Sequence, residues 1–559
     1  MDELAEILSR DRIAYFSMEI ALAKKIPTYS GGLGILAGDT IRSSAELNLP
    51  LVGVTLVNRN GYFYQELDEN GRQSEKIQNW SPSEHMKLLS AAVTVRIEGR
   101  DVKVKGWLYV HRSLTGGMIP VIFLDTDDED NSPQDRQITH YLYGGDEKYR
   151  LMQEIVLGTG GVRLLEELGL SIIKYHMNEG HSSLMTLELL HRYRGDKDKV
   201  RKICIFTTHT PVASGHDTFS FEMVEKVMDD GDMMELLYKF GESGGRLNMT
   251  VLALNLSDHV NGVAKRHREV SEKMFPGYKF NSITNGVHSY TWVCPQFREL
   301  YDRYIPGWAN EPELLVRVRN VPNDEIWRAH MEAKRVLIDH VNRENGIGFS
   351  HDALTIGFGR RMAEYKRPTF VFSDLERLRK VNEKGNIQFI FAGKAHPRDE
   401  RGKAIIQEIF WYMKELRDTI KIAFLENYDM ELALKMISGV DLWLNTPKPS
   451  FEASGTSGMK ASHNGVVNFS VLDGWWIEGC VPGVTGYAIG PAPGADISRE
   501  ETESMELNDL YYKLEYVIIP EYYDRRDEWI NVMKNSIGMI AYYFNTHRMM
   551  RRYVTETYL

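Results

Sequence analysis

Two series of short apolar runs constrain the fold of this 559-residue chain more than any other feature. Helical patterns separate successive runs, which is the order found in parallel βαβ units. The first series occupies 13–17, 51–57, 118–124, 172–177 and 203–207, and the second occupies 354–358, 387–392, 420–425 and 442–444. The sequence therefore predicts an α/β fold with two doubly wound, Rossmann-like sheets.

The chain is also too long for one core, because single hydrophobic cores rarely grow beyond about 250–300 residues. We predict a first Rossmann-like domain at 1–345, a second at 346–520 and C-terminal helices at 521–559. The helix-rich span 310–345 would lead from the first domain to the second. Alternating valines predict a β-hairpin within 91–110, and the final hundred residues show helical patterns.

Composition excludes several classes of partner. With 67 Lys and Arg against 78 Asp and Glu, the net charge is -11, which argues against nucleic acid and anionic membranes. The N-terminus is acidic and no apolar stretch reaches membrane-spanning length, so we expect a cytoplasmic protein. The three cysteines lack zinc-site spacing, and the acidic run 125–130 lacks the pattern of a calcium loop. We therefore expect no metal site, and an exposed loop at 125–130.

Residues 452–460, Glu-Ala-Ser-Gly-Thr-Ser-Gly-Met-Lys, combine an anion cradle with an amine. Small and hydroxylated residues from Ser454 to Gly458 allow backbone N–H groups and hydroxyls to converge on one oxyanion. Phosphate is the oxyanion that we expect there. Lys460 would lie about one turn into the following helix, where a desolvated amine becomes a nucleophile towards an aldehyde. Alternatively, the segment is a glycine-rich loop that ends in a solvated lysine.

A basic segment, Gly359-Arg-Arg-Met-Ala-Glu-Tyr-Lys-Arg367, follows the apolar run 353–358. It would lie at the carboxyl end of a parallel strand, where open α/β sheets bind ligands. Four cations within eight residues favour the binding of more than one anionic group, although a solvated basic helix start is the alternative.

Three further segments complete the pattern. Tyr29-Ser-Gly-Gly-Leu-Gly34 precedes a helical pattern, and its glycines permit positive φ and close approach to a ligand. His209 follows the strand-like run 203–206, and Asn285-Gly286 follows Ile283-Thr284. Taken singly, His209 is more often a structural histidine, and Asn-Gly is simply a turn.

Together these segments resemble the α-glucan phosphorylases, the glycogen and maltodextrin phosphorylase family. The resemblance runs in order from about residue 14 to residue 480, with Ser457-Gly458 replacing the commoner Gly-Asn of the family's lysine segment. It implies pyridoxal 5′-phosphate as cofactor, bound to Lys460 through a Schiff base. It also implies two Rossmann-like domains facing an interdomain cleft, the GT-B glycosyltransferase architecture, with C-terminal helices that cross back to the first domain.

The resemblance also implies individual roles. Cofactor contacts would come from Thr456, Ser457, Arg360, Tyr428 and Gly32. Substrate phosphate would be held by Arg361 and Lys366, and Tyr365 and Gly34 would also contact substrate. The glucosyl unit would be bound by His209, Asn285, Glu452, Ser454 and Gly455, with the weaker candidates Asn178-Glu-Gly-His181 lining the same site. Trp475 and Trp476 either stack on sugar rings or belong to a core.

The implied reaction is phosphorolysis of α-1,4-glucans from the non-reducing end, with inorganic phosphate, to α-glucose 1-phosphate with retention. The resemblance further implies a homodimer, and the length suggests a short form without the family's N-terminal regulatory extension, which we expect to be unregulated or differently regulated. Two alternatives remain open: a sugar-nucleotide-dependent glucan synthase of the same fold, which has no need of Lys460, and a non-catalytic glucan-binding scaffold.

Overall fold

The computed structural model of the chain describes residues 11–494 and 497–559, so the acidic N-terminal stretch lies outside the described residues. The chain forms two compact units. The first contains the described part of Met1–Phe63 together with Ile77–Thr284 and Met549–Leu559, and the second contains Tyr64–Lys76 and Asn285–Arg548.

The division between the units falls at 284/285, whereas the sequence placed it at 345/346. The helix Asn323–Asn345 explains the difference, because it packs against the helix Met430–Gly439 of the second unit. Its buried side chains Ile326 and Ala333 belong to the core of that unit. Helical periodicity revealed the helix but not the core that its apolar face joins.

The strands of the described residues are named in chain order. They are β1 Arg12–Ser17, β2 Leu51–Leu56, β3 Tyr64–Leu67, β4 Gln73–Lys76, β5 Lys87–Ile97, β6 Arg100–Arg112, β7 Met118–Asp125, β8 Ile172–Asn178, β9 Cys204–Thr207, β10 Thr218–Ser220, β11 Glu242–Ser243, β12 Arg246–Asn248, β13 His259–Gly262, β14 Asn281–Ser282, β15 Leu354–Gly359, β16 Ile387–Ala392, β17 Lys421–Leu425, β18 Leu442–Asn445, β19 Val467–Val471 and β20 Gly486–Ile489.

The α-helices of the described residues are named in the same way. They are α1 Gly32–Glu46, α2 Glu147–Ile155, α3 Gly161–Glu167, α4 Met185–Arg192, α5 Lys197–Ile203, α6 Phe221–Met228, α7 Gly231–Gly241, α8 Met249–Asn255, α9 Lys265–Met274, α10 Ser289–Trp292, α11 Pro295–Tyr304, α12 Asn323–Asn345, α13 Leu375–Lys384, α14 Glu400–Glu415, α15 Met430–Gly439, α16 Ser457–Ser462, α17 Trp476–Gly479, α18 Arg499–Lys513, α19 Ile519–Tyr523, α20 Arg526–Asn535 and α21 Thr546–Tyr553. Within the described part of the chain, every helix is too short or too polar to cross a bilayer.

The first unit is built on a mostly parallel sheet with the order β14-β13-β9-β8-β1-β2-β7-β6-β5. Strand β1 lies between β2 and β8 and is parallel to both. The order therefore reverses at β1, which places a ligand-binding edge at the carboxyl ends of β1 and β8. The predicted hairpin is present as β5 and β6, which pair antiparallel.

The second unit contains a six-stranded parallel sheet with the order β17-β16-β15-β18-β19-β20. This is the doubly wound order of dinucleotide-binding folds, in which successive strands are added first on one side of the starting strand and then on the other. The α/β prediction is thus confirmed for both units. The prediction of helices alone in the last hundred residues is wrong, because β19 and β20 lie there; their runs are short and fully buried, which hides a strand's periodicity.

Candidate active site

The carboxyl edge of the second sheet collects the basic segment and the lysine segment. Strand order reverses between β15 and β18, which are direct neighbours. Arg360 follows β15 immediately, and the loop after β18 leads through Glu452 to α16, which carries Lys460. Two segments that lie about ninety residues apart in the chain are therefore brought to one switch point, where open α/β sheets bind ligands.

Glu452 is the centre of a buried ion-pair cluster at this edge. Its Oε2 atom accepts hydrogen bonds from Arg360 Nη2 at 2.8 Å and from Lys366 Nζ at 2.6 Å. Only 8% of Glu452 is exposed. Burial alone would raise the pKa of its carboxyl, but the charges of Arg360 and Lys366 outweigh burial and hold the pKa at about 2. The Glu452 backbone is fixed as well, because its N–H donates to Asp473 Oδ2 at 2.9 Å.

The other cations of the basic segment have different environments. Arg361 is exposed, while Arg367 is turned away and donates to Thr446 O at 2.9 Å and to Glu506 Oε2 at 2.6 Å. Arg360 also donates to the side chain of Asn445, and its buried Nε atom has no hydrogen-bond partner among the described residues. The segment forms a loop with a 3-10 turn at Glu364–Lys366, so the solvated helix start is not what forms.

Tyr365 belongs to the same edge. Its ring lies 4.5 Å from Lys366 Nζ and 6.3 Å from the ring of Phe451. Burial raises the pKa of the Tyr365 phenol, but the neighbouring charge of Lys366 overcomes that effect and leaves the pKa below its ordinary value. The phenol thus lies in a positively charged environment that suits an anionic ligand.

Lys460 lies where the sequence predicted, one turn into a helix. Thr456 is the N-cap of α16, and the backbone N–H of Lys460 closes the first turn onto Thr456 O at 3.1 Å. The lysine is 8% exposed, and its Nζ atom lies 3.9 Å from the centre of the Trp292 ring. Because the first N–H groups of a helix have no intrahelical partner, those of Ser457 and Gly458 can serve an anion.

Other residues of the lysine segment serve packing. Ser457 Oγ accepts from Trp443 Nε1 at 3.1 Å. A Cβ atom at Gly458 would lie 2.3 Å from Asn468 Oδ1, so only glycine fits there. Gly455 has a φ of +77°, which makes the turn between Ser454 and the helix. Ser454 itself is buried, and its carbonyl accepts from Trp475 N at 2.9 Å.

Tyr428 and Asn285 also belong to the second unit. A Cβ atom at Gly359 would lie 2.9 Å from the Tyr428 hydroxyl, so Tyr428 packs on the end of β15, beside Arg360. Asn285 is 4% exposed, and its side-chain Oδ1 has no hydrogen-bond partner among the described residues. A buried amide oxygen without a partner costs free energy, which favours a ligand that donates to it.

His209 lies at the carboxyl edge of the first sheet and is held from two sides. Its Nε2 is 2.6 Å from Asn178 Oδ1, and its backbone N–H donates to Glu179 Oε2 at 2.7 Å. Burial lowers the pKa of the imidazole to about 4, so the ring is neutral at pH 7. His209 and Asn178 line a small cavity within this unit, together with Tyr15 and Tyr553.

The glycine loop differs from the prediction. None of Gly31, Gly32 and Gly34 has a positive φ, and Gly31 is extended at -165°. Gly34 is required by packing, because a Cβ there would lie 2.6 Å from Glu19 Oε2. A Cβ at Gly32 would meet nothing within 4 Å. The permissive-φ explanation is therefore wrong for this loop, and close approach of its backbone to a ligand stays a prediction.

Glu19 organises that loop, and the sequence analysis missed it. Its Oε2 accepts the backbone N–H of Ser30 at 2.5 Å and that of Gly31 at 3.2 Å, and its Oε1 accepts from Tyr143 at 3.0 Å. Burial raises the pKa of the Glu19 carboxyl, and these hydrogen bonds oppose the effect. Its position just beyond the carboxyl end of β1 was the signal that could have revealed it.

The burial of side chains decides two further predictions, for the acidic run 125–130 and for the pair Trp475 and Trp476. The run 125–130 is not simply an exposed loop, because Asp125 is fully buried and accepts from Arg59 Nη2 at 2.6 Å. The local charge pattern could not reveal that Asp125 pairs with Arg59, 66 residues away in the chain. Trp475 and Trp476 are 3% and 0% exposed, so they belong to the core and do not form a sugar-stacking surface.

Comparisons with known proteins show which family this chain resembles. A model of the carbohydrate phosphorylase family matches residues 176–480. The chain is 40% identical to the maltodextrin phosphorylase of Thermococcus litoralis, over 98% of this chain and 70% of that protein. It is 37% identical to the glycogen phosphorylase of Aquifex aeolicus, over 98% and 86% respectively. It is 34% identical to the glycogen phosphorylase of Mycobacterium tuberculosis, over 98% and 70%.

The family match spans the lysine segment, the basic segment and His209, and the relatives match nearly the whole chain. The chain belongs to the carbohydrate phosphorylase family.

Proposed function

We propose that this protein is an α-glucan phosphorylase that uses pyridoxal 5′-phosphate to convert α-1,4-glucans and inorganic phosphate, from the non-reducing end, to α-glucose 1-phosphate with retention. The observation that carries the proposal is the buried Lys460, placed one turn into α16 at the same sheet edge as Arg360, Lys366 and Glu452. A lysine withdrawn from water beside a cluster of cations suits an aldehyde that carries a phosphate.

The residues at this edge fit that cofactor. Lys460 would bind its aldehyde, and Arg360 has a buried Nε atom without a hydrogen-bond partner among the described residues. Thr456 and Ser457 lie at the start of α16, where free N–H groups favour a phosphate. Tyr428 packs beside Arg360 on the end of β15. When bound, the cofactor supplies a phosphate group for acid–base and charge balance at the reaction centre.

The chain's own residues would bind and orient the substrates. Arg361 and Lys366 would hold inorganic phosphate, and the arrangement supports this because Arg360 and Lys366 share the single carboxylate oxygen Oε2 of Glu452. Both cations that bind Glu452 use its Oε2, so its Oε1 can accept a sugar hydroxyl while the carboxylate stays ionised. Asn285 would accept a second hydroxyl at its unpaired Oδ1. The roles of Tyr365, Ser454, Gly455, Gly32 and Gly34 towards substrate or cofactor stay predictions.

His209 would contribute a neutral imidazole and a rigid backbone. Because burial holds its pKa at about 4, the ring can exchange hydrogen bonds with a sugar hydroxyl without carrying charge at pH 7. Its contacts with Asn178 and Glu179 fix both the side chain and the peptide. The homodimer and the cytoplasmic location also stay predictions.

The test compares wild-type protein with Lys460→Ala after reconstitution with pyridoxal 5′-phosphate, and Lys384→Ala, an exposed lysine on α13, is the matched control. We expect near-stoichiometric cofactor absorbance and glucose 1-phosphate formation for wild type and control, and neither for Lys460→Ala. A cofactor-bearing, active Lys460→Ala variant would overturn the assignment. Glucosyl transfer from a sugar nucleotide, with no cofactor bound to wild type, would favour the glucan synthase.

A further inference from the structure

A small hairpin of the second unit comes from an unexpected part of the chain. Strands β3 and β4 lie in sequence between strands of the first sheet, yet Tyr64–Lys76 belongs to the second unit. The two strands pair antiparallel, with Gln65 opposite Glu75 and Leu67 opposite Gln73. An isolated two-stranded hairpin is marginally stable, so its contacts with the second unit must hold it in place.

Gln65 provides four of those contacts. It is fully buried, whereas its neighbour Tyr64 is 49% exposed. The Gln65 backbone N–H donates to Asn427 Oδ1 at 2.7 Å, and its carbonyl accepts from Asn427 Nδ2 at 2.8 Å. Its side-chain oxygen accepts from Asn427 N at 3.1 Å, and its Nε2 donates to Gly393 O at 3.0 Å. One glutamine therefore binds two loops at once.

Gln73 repeats this pattern on the other strand. Its Oε1 accepts from Ala395 N at 3.0 Å, and its Nε2 donates to Ala395 O at 2.9 Å. Gln65 Nε2 also donates to Gln73 Oε1 at 2.9 Å, which links the two side chains. Apolar contact adds to the polar set, because Gly71 lies against the ring of Phe410. The hairpin is thus attached through paired amides rather than through apolar burial alone.

The loops that these glutamines bind lie against residues of the candidate active site. Gly393 directly follows β16 and packs on Arg360, since a Cβ there would lie 1.9 Å from Arg360 O. Asn427 follows β17, has a left-handed φ of 55° and directly precedes Tyr428. Tyr428 in turn packs on Gly359, at the end of β15. The hairpin therefore holds two loops, one of which packs against Arg360 and the other against Gly359 beside it.

We propose that Gln65 and Gln73 are positioning residues for the reaction centre. They fix the loops after β16 and β17, and through them the Arg360 main chain and the Tyr428 ring. This inference rests on the proposed function for what Arg360 and Tyr428 bind. A site that must hold a ligand to within fractions of an ångström depends on such supporting hydrogen bonds.

The test uses Gln65→Ala in the full-length protein, with Asn70→Ala as the matched control. Asn70 is an amide of the same hairpin whose side chain meets the exposed Lys414 at 2.8 Å. For Gln65→Ala we expect about a tenfold faster loss of bound pyridoxal 5′-phosphate on dilution at 25 °C, followed by its fluorescence. We expect an unchanged rate for Asn70→Ala, and an intermediate rate for Gln65→Glu, which keeps the acceptor for Asn427 N.

A second readout does not depend on the cofactor. Hydrogen exchange of cofactor-free protein should show at least about tenfold faster exchange around 393–395 and 426–428 in Gln65→Ala, with exchange around 118–125 of the first unit unchanged. Wild-type cofactor retention and exchange in a folded Gln65→Ala protein would overturn the proposal. If Gln65→Ala does not fold, Gln73→Ala decides by the same criteria. A wild type that binds no cofactor refutes the proposed function, whereas the exchange result still decides the role of the hairpin.

Discussion

Replacing Glu452 by Gln removes the carboxylate that binds both Arg360 and Lys366, while keeping nearly the same shape. The carboxyl has a pKa of about 2, against an ordinary 4.5, although burial opposes ionisation. At about 1.4 kcal/mol per pH unit, this depression corresponds to about 3 kcal/mol of stability. The depressed pKa means that the contribution is fully present above pH 4.5 and is lost as the pH falls towards 2.

Glu452→Gln should therefore lower the free energy of unfolding of the second unit by about 3–5 kcal/mol, because the buried Lys366 and the partly buried Arg360 lose their anion. Urea unfolding in low-salt buffer measures this difference, which should be constant between pH 5 and pH 8. Inorganic phosphate should stabilise the variant more than wild type, because it supplies the missing negative charge. Glu415→Gln, which breaks an exposed pair with Arg379, is the control and should change stability by less than about 1 kcal/mol. A Glu452→Gln difference below about 1 kcal/mol, or one that varies between pH 5 and pH 8, would refute the electrostatic reasoning.

Three further predictions concern other parts of the molecule. Gly34→Ala should destabilise the first unit by about 1–3 kcal/mol in thermal unfolding, because its Cβ would lie 2.6 Å from Glu19 Oε2. The control Gly32→Ala should leave thermal unfolding unchanged, because its Cβ would meet nothing within 4 Å. His209 should stay neutral down to about pH 5, so a histidine-selective NMR titration should show its midpoint near 4, and a midpoint above 6 would contradict the role of burial. Lys334→Met should lower the free energy of unfolding, measured in urea, by about 3–5 kcal/mol. The reason is that Lys334 Nζ lies 2.6 Å from the buried Asp441, which loses this cation in the variant. Adding Asp441→Asn should recover part of that loss.

Local pattern was enough to predict much of the fold. Buried parallel strands such as β15 and β16 are continuous apolar runs, so they were predicted close to their observed bounds. Strand β13 and the edge strand β14 were missed, because they are short and polar. The hairpin β3 and β4 was missed for a related reason: its alternation is weak, and its partners lie more than 300 residues away.

The candidate site, like the fold, could be predicted only in part. Lys460, Arg360 and Glu452 were predicted because each lies in a segment with unusual residue types, and the family resemblance supplied their roles. The ion pairs that join them depend on sheet order, which brings β15 beside β18 and which no local window contains. Glu19 was missed although it lies just beyond the carboxyl end of β1, and Gln65 was missed because nothing in its local sequence distinguishes it; tertiary hydrogen bonds give each its role.

The most direct test of the central claim is borohydride reduction of the protein reconstituted with pyridoxal 5′-phosphate, followed by mass analysis of its peptides. The account predicts about one phosphopyridoxyl group per chain, located on Lys460, since reduction fixes an imine at the lysine that forms it. Lys394 is the instructive alternative, because burial lowers the pKa of its amine to about 8. Label on Lys394 or elsewhere, with Lys460 unmodified, would contradict the assignment of Lys460 as the cofactor lysine.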